Sequence, residues 1–230
     1  MQIAIPLVDV ISLSQKKCDL PIRAHLAYAT TENFVGRVVA GYTPELTDFA
    51  LLEATAAEAL CQVQNELHKK YNLSLLIYDS YRPKRAVLDF MRWSNEPVAT
   101  NETGQHELAM KQKHYPHIEK NQLFKLGYVS EDSNHCYGNT VDLVLIDKNN
   151  QELPLGACFD FMDELSHHSA TPAQIGEEAF LNRQLLLTCM QEFGFVPYTK
   201  EFWHYHFHEK KIIAPIDIVM TEDLRSVNVT

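Results

Sequence analysis

Two segments of the chain carry side chains whose types and spacing suit chemistry. In Ser133-Asn-His135-Cys-Tyr-Gly138-Asn-Thr-Val-Asp142, a loop histidine is followed, past a glycine, by an aspartate between Val141 and Leu143. A carboxylate in an apolar strand is costly to bury unless something offsets its charge. A metal ion would do so; a salt bridge is the plainer alternative. In Glu201-Phe-Trp-His204-Tyr-His206-Phe-His208, strand alternation puts His204, His206 and His208 on one face and Trp203, Tyr205 and Phe207 on the other. Imidazoles on one face suit a metal or acid–base work, or form an exposed polar face, and spacing does not say which of the three would bind. Together the segments offer two nitrogens, one carboxylate oxygen and a spare carboxylate, Glu201. Three protein ligands with an open fourth position is the pattern of a catalytic zinc site, where bound water has a pKa of about 7. A nearby glutamate that is not a ligand can take the proton and pass it to a leaving amine.

Further motifs extend the pattern: Asp79-Ser-Tyr-Arg82-Pro83, and Tyr28-Ala-Thr-Thr-Glu-Asn33-Phe34-Val-Gly36. With S-x-H-x-x-G-x-x-x-D at 133–142 and E-x-W-H at 201–204, the chain resembles the D-alanyl-D-alanine dipeptidases of the VanX type, within the wider group of zinc D-Ala-D-Ala peptidases. The resemblance runs from about Arg23 to Phe207. It implies that His135, Asp142 and His204 hold one zinc ion per chain, that Glu201 is the catalytic base, and that Arg82 steadies the oxyanion, a task suited to a permanently cationic multiple donor. It also implies Tyr28, Ser133 and Asp160 as substrate-binding residues for a dipeptide's ammonium. Asp160 rests on Gly156-Ala-Cys-Phe-Asp160, where the family reads G-T-x-F-D; Asp163 and Glu164 are the substitutes. His114, His117, His167 and His168 are read as non-ligands, although a similar S-H-H stretch in the family lets His167 or His168 orient site residues. Cys136, beside the first ligand, is read as a buried thiol in preference to a nucleophile.

Three functions compete. The first is hydrolysis of D-Ala-D-Ala, or a close relative, by metal-activated water in a narrow pocket. The second is a D,D- or L,D-carboxypeptidase acting on wall stem peptides, which would need export. The third is a non-catalytic zinc or peptidoglycan-fragment binding module, disfavoured because pure binding needs neither Glu201 nor Arg82.

Composition narrows the field. The 230 residues are 46% hydrophobic and carry a formal net charge of −10. So acidic a chain is a poor partner for nucleic acid or an anionic membrane surface. Cys18, Cys61, Cys136, Cys158 and Cys189 are odd in number and widely spaced, so reduced, mostly buried thiols are expected. The N-terminal stretch from Met1 to Val10 lacks the basic start and apolar core of a leader, and no stretch is long enough for a membrane helix, so a cytoplasmic protein is expected.

The elements that must position these residues read as one α+β domain over 1–230, a central antiparallel sheet carrying the zinc site and flanked by helices. Residues 22–42 read as loops and short strands. Thr43-Pro44 reads as the start of a long helix, with Leu52, Ala56, Leu60, Val63 and Leu67 on one face and Asn72 as the stop. Leu73–Tyr78 and Thr140–Ile146 read as strands, Lys84–Trp93 as a helix, and 95–120 as a helix and a long loop. Residues 151–155 read as a hairpin return. Leu181, Leu185, Cys189 and Phe193 mark a third helix with Gly194 as its C-cap, and Glu201–Phe207 reads as a strand.

Overall fold

The computed structural model describes residues 7–208, 212 and 214–224. Residues 1–6 of the N-terminal stretch read above, and the end of the chain, lie outside them. In chain order the elements are β1 (Leu7–Asp9), α1 (Val10–Lys17), β2 (Arg23–Ala24), β3 (Leu51–Glu53), α2 (Ala54–Tyr71), β4 (Ser74–Asp79), α3 (Lys84–Asn95), α4 (Glu102–His114), α5 (Leu123–Leu126), β5 (Thr140–Ile146), α6 (Pro172–Ile175), α7 (Glu177–Glu192), β6 (Phe195–Pro197) and β7 (His204–Phe207). Five strands form one sheet in the order β2-β4-β5-β7-β6, antiparallel except for the short parallel edge pair β2–β4. β1 and β3 pair separately. Helices α2 and α7 pack on each other and on the sheet. This is the expected α+β class. No described helix is long and apolar enough to cross a membrane.

The long helix shows how local preference and tertiary pairing divide the work. Thr43-Pro44 opens only a 3₁₀ turn, Pro44–Leu46. The expected helix start is therefore corrected to Ala54. Leu51–Glu53 is drawn into a strand by pairing with Leu7–Asp9, so Leu52 faces the core from β3. Beyond that point Leu60, Val63 and Leu67 make the buried face. Asn72 ends the helix in the left-handed conformation, φ 56°, which asparagine tolerates better than most residues. Gln64, fully buried, ties α2 to the sheet. Its amide donates to Leu20 O and Ser74 Oγ and accepts from Leu75 N–H.

Other boundaries also move. The strand expected over Glu201–Phe207 begins at His204; Glu201–Trp203 form the turn before it. The hairpin return at 151–155 contracts to a single bridge, Ile146 to Glu152. β6 was not read from the sequence. Gly194 does follow α7, at φ 88°. Cys61, Cys136 and Cys189 are buried, whereas Cys18 is half-buried and Cys158 is exposed.

Register is what brings chemistry together. Asp142 on β5 lies opposite His204 on β7 and opposite Asp79 at the end of β4. Cross-strand neighbours share a face, so the three form a row across three strands. The β4–β5 pairing slips between Ile77 and Asp79. Without that bulge Asp79 would oppose Val141 and point to the other face. The same register decides among the histidines: His206 opposes Thr140, and His208 lies past the strand end against Gly194 O.

Gly138 closes the 3₁₀ turn Asn134–Tyr137 at φ 70°, its carbonyl accepts Glu53 N–H, and a Cβ there would press on the buried side chain of Leu7. Gly138→Ala is expected to cost about 1–3 kcal/mol from the left-handed backbone and the overpacking. A denaturant titration against the parent protein measures it.

Candidate active site

Tyr28, Arg82, Ser133, His135, Asp142, Asp160, Glu201 and His204 all line one open cleft of about 670 Å³.

At its floor the donor atoms of His135, Asp142 and His204 lie within 4.8 Å of one another. His135 Nε2 is 3.3 Å from His204 Nδ1 and 3.3 Å from Asp142 Oδ2, and His204 Nδ1 is 2.9 Å from Asp142 Oδ1. The last approach is short but not aligned as a hydrogen bond, and buried Asp142 Oδ1 has no hydrogen-bond partner. His135 Nδ1 lies 2.6 Å from Ser80 O and so donates to it, which turns the lone pair of Nε2 toward the other two donors. Burial pushes the His204 imidazole below its ordinary pKa, toward its neutral, ligating form. Burial would raise Asp142, but His135 and His204 beside it more than offset this and hold it below the usual carboxylate range. A buried carboxylate with Oδ1 against one imidazole nitrogen and Oδ2 against another, and no hydrogen bond to Oδ1, fits a divalent cation with nitrogen and oxygen ligands, zinc among them.

Each side chain is held by local structure. His135 sits in the 3₁₀ turn that follows Ser133, and its carbonyl accepts Arg82 N–H. Arg82 follows β4, where its Nε donates to Asp79 Oδ2 at 2.9 Å and its Nη2 lies 2.8 Å from the same oxygen. Its guanidinium lies over the rings of Tyr28 and Phe90. Glu201 precedes β7, with Oε2 3.5 Å from His204 Nδ1. Burial, with Asp142 and Asp160 near it, pushes Glu201 well above the usual carboxylate range.

Across the cleft, Tyr28 Oη donates to Asp160 Oδ2 at 2.9 Å. Asp160 is buried, adopts φ 58°, and is also pushed up in pKa by burial and then by Asp142. A non-glycine residue held left-handed at a cleft marks backbone strain of the kind found at functional sites. Asn33 explains the motif that carries Tyr28. Its amide donates to Ala27 O, Thr30 O and Arg37 O, and its oxygen accepts from Val35 and Gly36 N–H, so one side chain shapes the loop.

Asp79, the first residue of the Asp79–Pro83 motif, has a part in the site that the motif alone does not reveal. It is fully buried, accepts from Tyr42 Oη at 2.6 Å as well as from Arg82, and lies 3.4 Å from His135 Nδ1. The signal was available, since an acid closing the apolar run Leu73–Tyr78 poses the same burial problem as Asp142. Tyr128 and Tyr198 also line the cleft unforeseen. Cys136 does not; its thiol is buried against Val87 and Tyr137 and pushed by burial up to about 11. His114 is buried and His168 half-buried, both pushed down to about 4 by burial and neither among the three clustered donors, and His167 Nε2 lies 3.2 Å from Tyr128 Oη.

Removing the carboxylate of Asp79 would leave the buried guanidinium of Arg82 only its longer approach, 3.6 Å, to Asp142 Oδ2. Asp79→Ala is expected to cost about 3–5 kcal/mol, read from chemical denaturation, and more than Asp89→Ala, because the latter's partners Arg37 and Arg92 reach solvent.

Comparison with known proteins agrees in kind. A family model of the M15 peptidases, described as D-ala-D-ala dipeptidase, matches residues 10–220. The D-alanyl-D-alanine dipeptidase of Enterococcus faecalis is 38% identical over 186 residues, covering 80% of this chain and 85% of that protein. The D-alanyl-D-alanine dipeptidase of Enterococcus faecium is 37% identical over 185 residues, with the same coverage of 80% and 85%. A solved zinc-bound vancomycin-resistance D,D-pentapeptidase overlaps 72% of this chain and 78% of its own at a TM-score of 0.37 and 14% identity, too remote to carry an argument. The chain is a metallopeptidase and belongs to the M15 family of D-Ala-D-Ala dipeptidases.

Proposed function

We propose that this protein hydrolyses D-Ala-D-Ala, or a closely similar dipeptide, with one zinc ion held by His135, Asp142 and His204. The observation that carries the reading is the cluster of three donors itself, with Asp142 Oδ1 lacking a hydrogen bond and Glu201 beside His204. When bound, zinc supplies a Lewis acid that makes water acidic enough to react near neutral pH. Glu201 takes the proton from the attacking water and delivers it to the leaving amine. Arg82, fixed by Asp79, donates toward the carbonyl oxygen as negative charge grows there. Asp160 and Tyr28, with Ser133 on the cleft wall, receive the substrate's ammonium.

Charge balance supports the same reading. Asp79, Asp142, Asp160 and Glu201 are buried around the cleft, against one buried guanidinium, that of Arg82. A metal cation and a substrate ammonium would supply the missing positive charge.

The alternative reading is a carboxypeptidase acting on longer stem peptides. Release of D-Ala from a pentapeptide stem faster than from D-Ala-D-Ala would favour it over the dipeptidase.

The direct test is D-Ala release from D-Ala-D-Ala by the zinc-loaded protein. Glu201→Ala is expected to keep its zinc and lose about 10²–10⁴-fold in kcat. His204→Ala is expected to lose zinc, read by metal analysis after dialysis. Undiminished turnover by the Glu201 variant would end the proposed proton route.

A further inference from the structure

Helix α7 buries a guanidinium that has no acidic partner among the described residues. Arg183 is 3% exposed. Its Nε donates to Leu155 O at 2.6 Å, and its Nη1 donates to Leu165 O at 2.8 Å and His167 O at 3.4 Å. The guanidinium carbon lies 4.1 Å from the centre of the Phe202 ring. Nη2 has no hydrogen-bond partner. A buried cation without a counter-charge is costly, and burial pulls this one down to about 10. So expensive a group is kept where its geometry is needed.

That geometry closes a loop. Leu155, Leu165 and His167 are the two ends of the segment 155–167, and Asp160 lies midway along it. The neighbouring Asn182 adds a bond to Pro154 O. Inside the loop, Phe159 stacks on Tyr78 and meets Trp203 edge-on. The far end is sewn to the turn that carries Glu201: Phe202 N–H donates to Ser166 O, and His168 N–H donates to Thr199 O. Phe202, under the guanidinium, is the residue after Glu201. One side chain therefore touches both the loop of Asp160 and the turn of Glu201, without lining the cleft itself.

We infer that Arg183 is a positioning residue, which clamps the 155–167 loop so that Asp160 is set for the substrate's ammonium relative to Glu201. The inference rests on the dipeptidase reading for the roles of Asp160 and Glu201. A planar fork that donates in several directions while lying on a ring is a task for arginine; lysine offers a single point charge.

The test uses the zinc-loaded full chain. In Arg183→Lys, KM for D-Ala-D-Ala is expected to rise about tenfold or more, since displacement of about 1 Å at a binding group has effects of that order. Zinc content should match the parent, because the donor triad stands on β5, β7 and the turn before β5. Combined with Asp160→Asn, the KM effects should be markedly less than additive. A merely structural role would lower the melting temperature and leave KM per zinc-loaded molecule unchanged. Arg183→Gln, which buries no charge, serves as the second variant if the lysine protein does not fold. Hydrogen exchange gives a readout independent of substrate: amides over 155–167 should exchange faster in either variant while those of β5 do not. An unchanged KM, or fully additive KM effects, overturns the inference. If the parent itself does not cleave the dipeptide, the dipeptidase reading fails, and the exchange data alone decide whether Arg183 clamps the loop.

Discussion

The structure is organised around unbalanced negative charge at one end of a buried sheet. Asp142 stands between Val141 and Leu143, both fully buried, on the central strand of the sheet. Nothing in that position makes a carboxylate cheap except the groups across the strand ladder. Asp79 on one side recruits Arg82; His204 on the other turns a neutral nitrogen toward it. Asp160 and Glu201 add two more buried acids nearby. The cleft is thereby poised for positive charge, from a metal at its floor and from an ammonium on its wall.

The two halves of the site are built differently. His135, Asp142 and His204 stand on β5, β7 and a 3₁₀ turn closed by Gly138, elements locked by ladder hydrogen bonds and tight packing. The opposite wall of the cleft is made of loops: the Asn33-centred turn that carries Tyr28, and the 155–167 loop that carries Asp160. Loops need dedicated fasteners, since their backbone groups have no ladder to join. Asn33 is one such fastener, spending its whole hydrogen-bonding capacity on backbone groups within a few residues. The strain of Asp160 at φ 58° is tolerable because Tyr28, and the backbone contact of Met162 with His114 O, hold its surroundings.

Arg82 joins the acids of the cleft to its aromatic wall. Its pairing with Asp79 satisfies a buried charge, and its contact with Tyr28 and Phe90 places the guanidinium over an aromatic wall, where cation–π attraction adds to the salt bridge. The same pair supports His135, whose ring lies against Ser80 O and Asp79. A change at Asp79 is therefore felt by both Arg82 and His135.

Much of this was legible in the residues. The α+β class, the strand over Thr140–Ile146, the stop at Asn72 and the candidates His135, Asp142 and Glu201 follow from local patterns: alternation, capping chemistry, and acids placed where apolar strands cannot tolerate them unaided; Tyr28, Arg82, Ser133 and Asp160 come from the family resemblance alone. What tertiary structure alone decided is long-range. Strand periodicity put three histidines on one face, and only the β5–β7 register chose His204 as the one opposite Asp142. The bulge that turns Asp79 to that face leaves no mark in a pattern of period two. Leu51–Glu53 became a strand because Leu7–Asp9 was there to pair with it, against a helical spacing that began at Leu52. Arg183 reads in sequence as an ordinary polar position of a helix, because its partners are carbonyls, and any residue supplies a carbonyl. Local sequence encodes conformational preference and the cost of burial; which distant group answers that cost is settled by how the strands align.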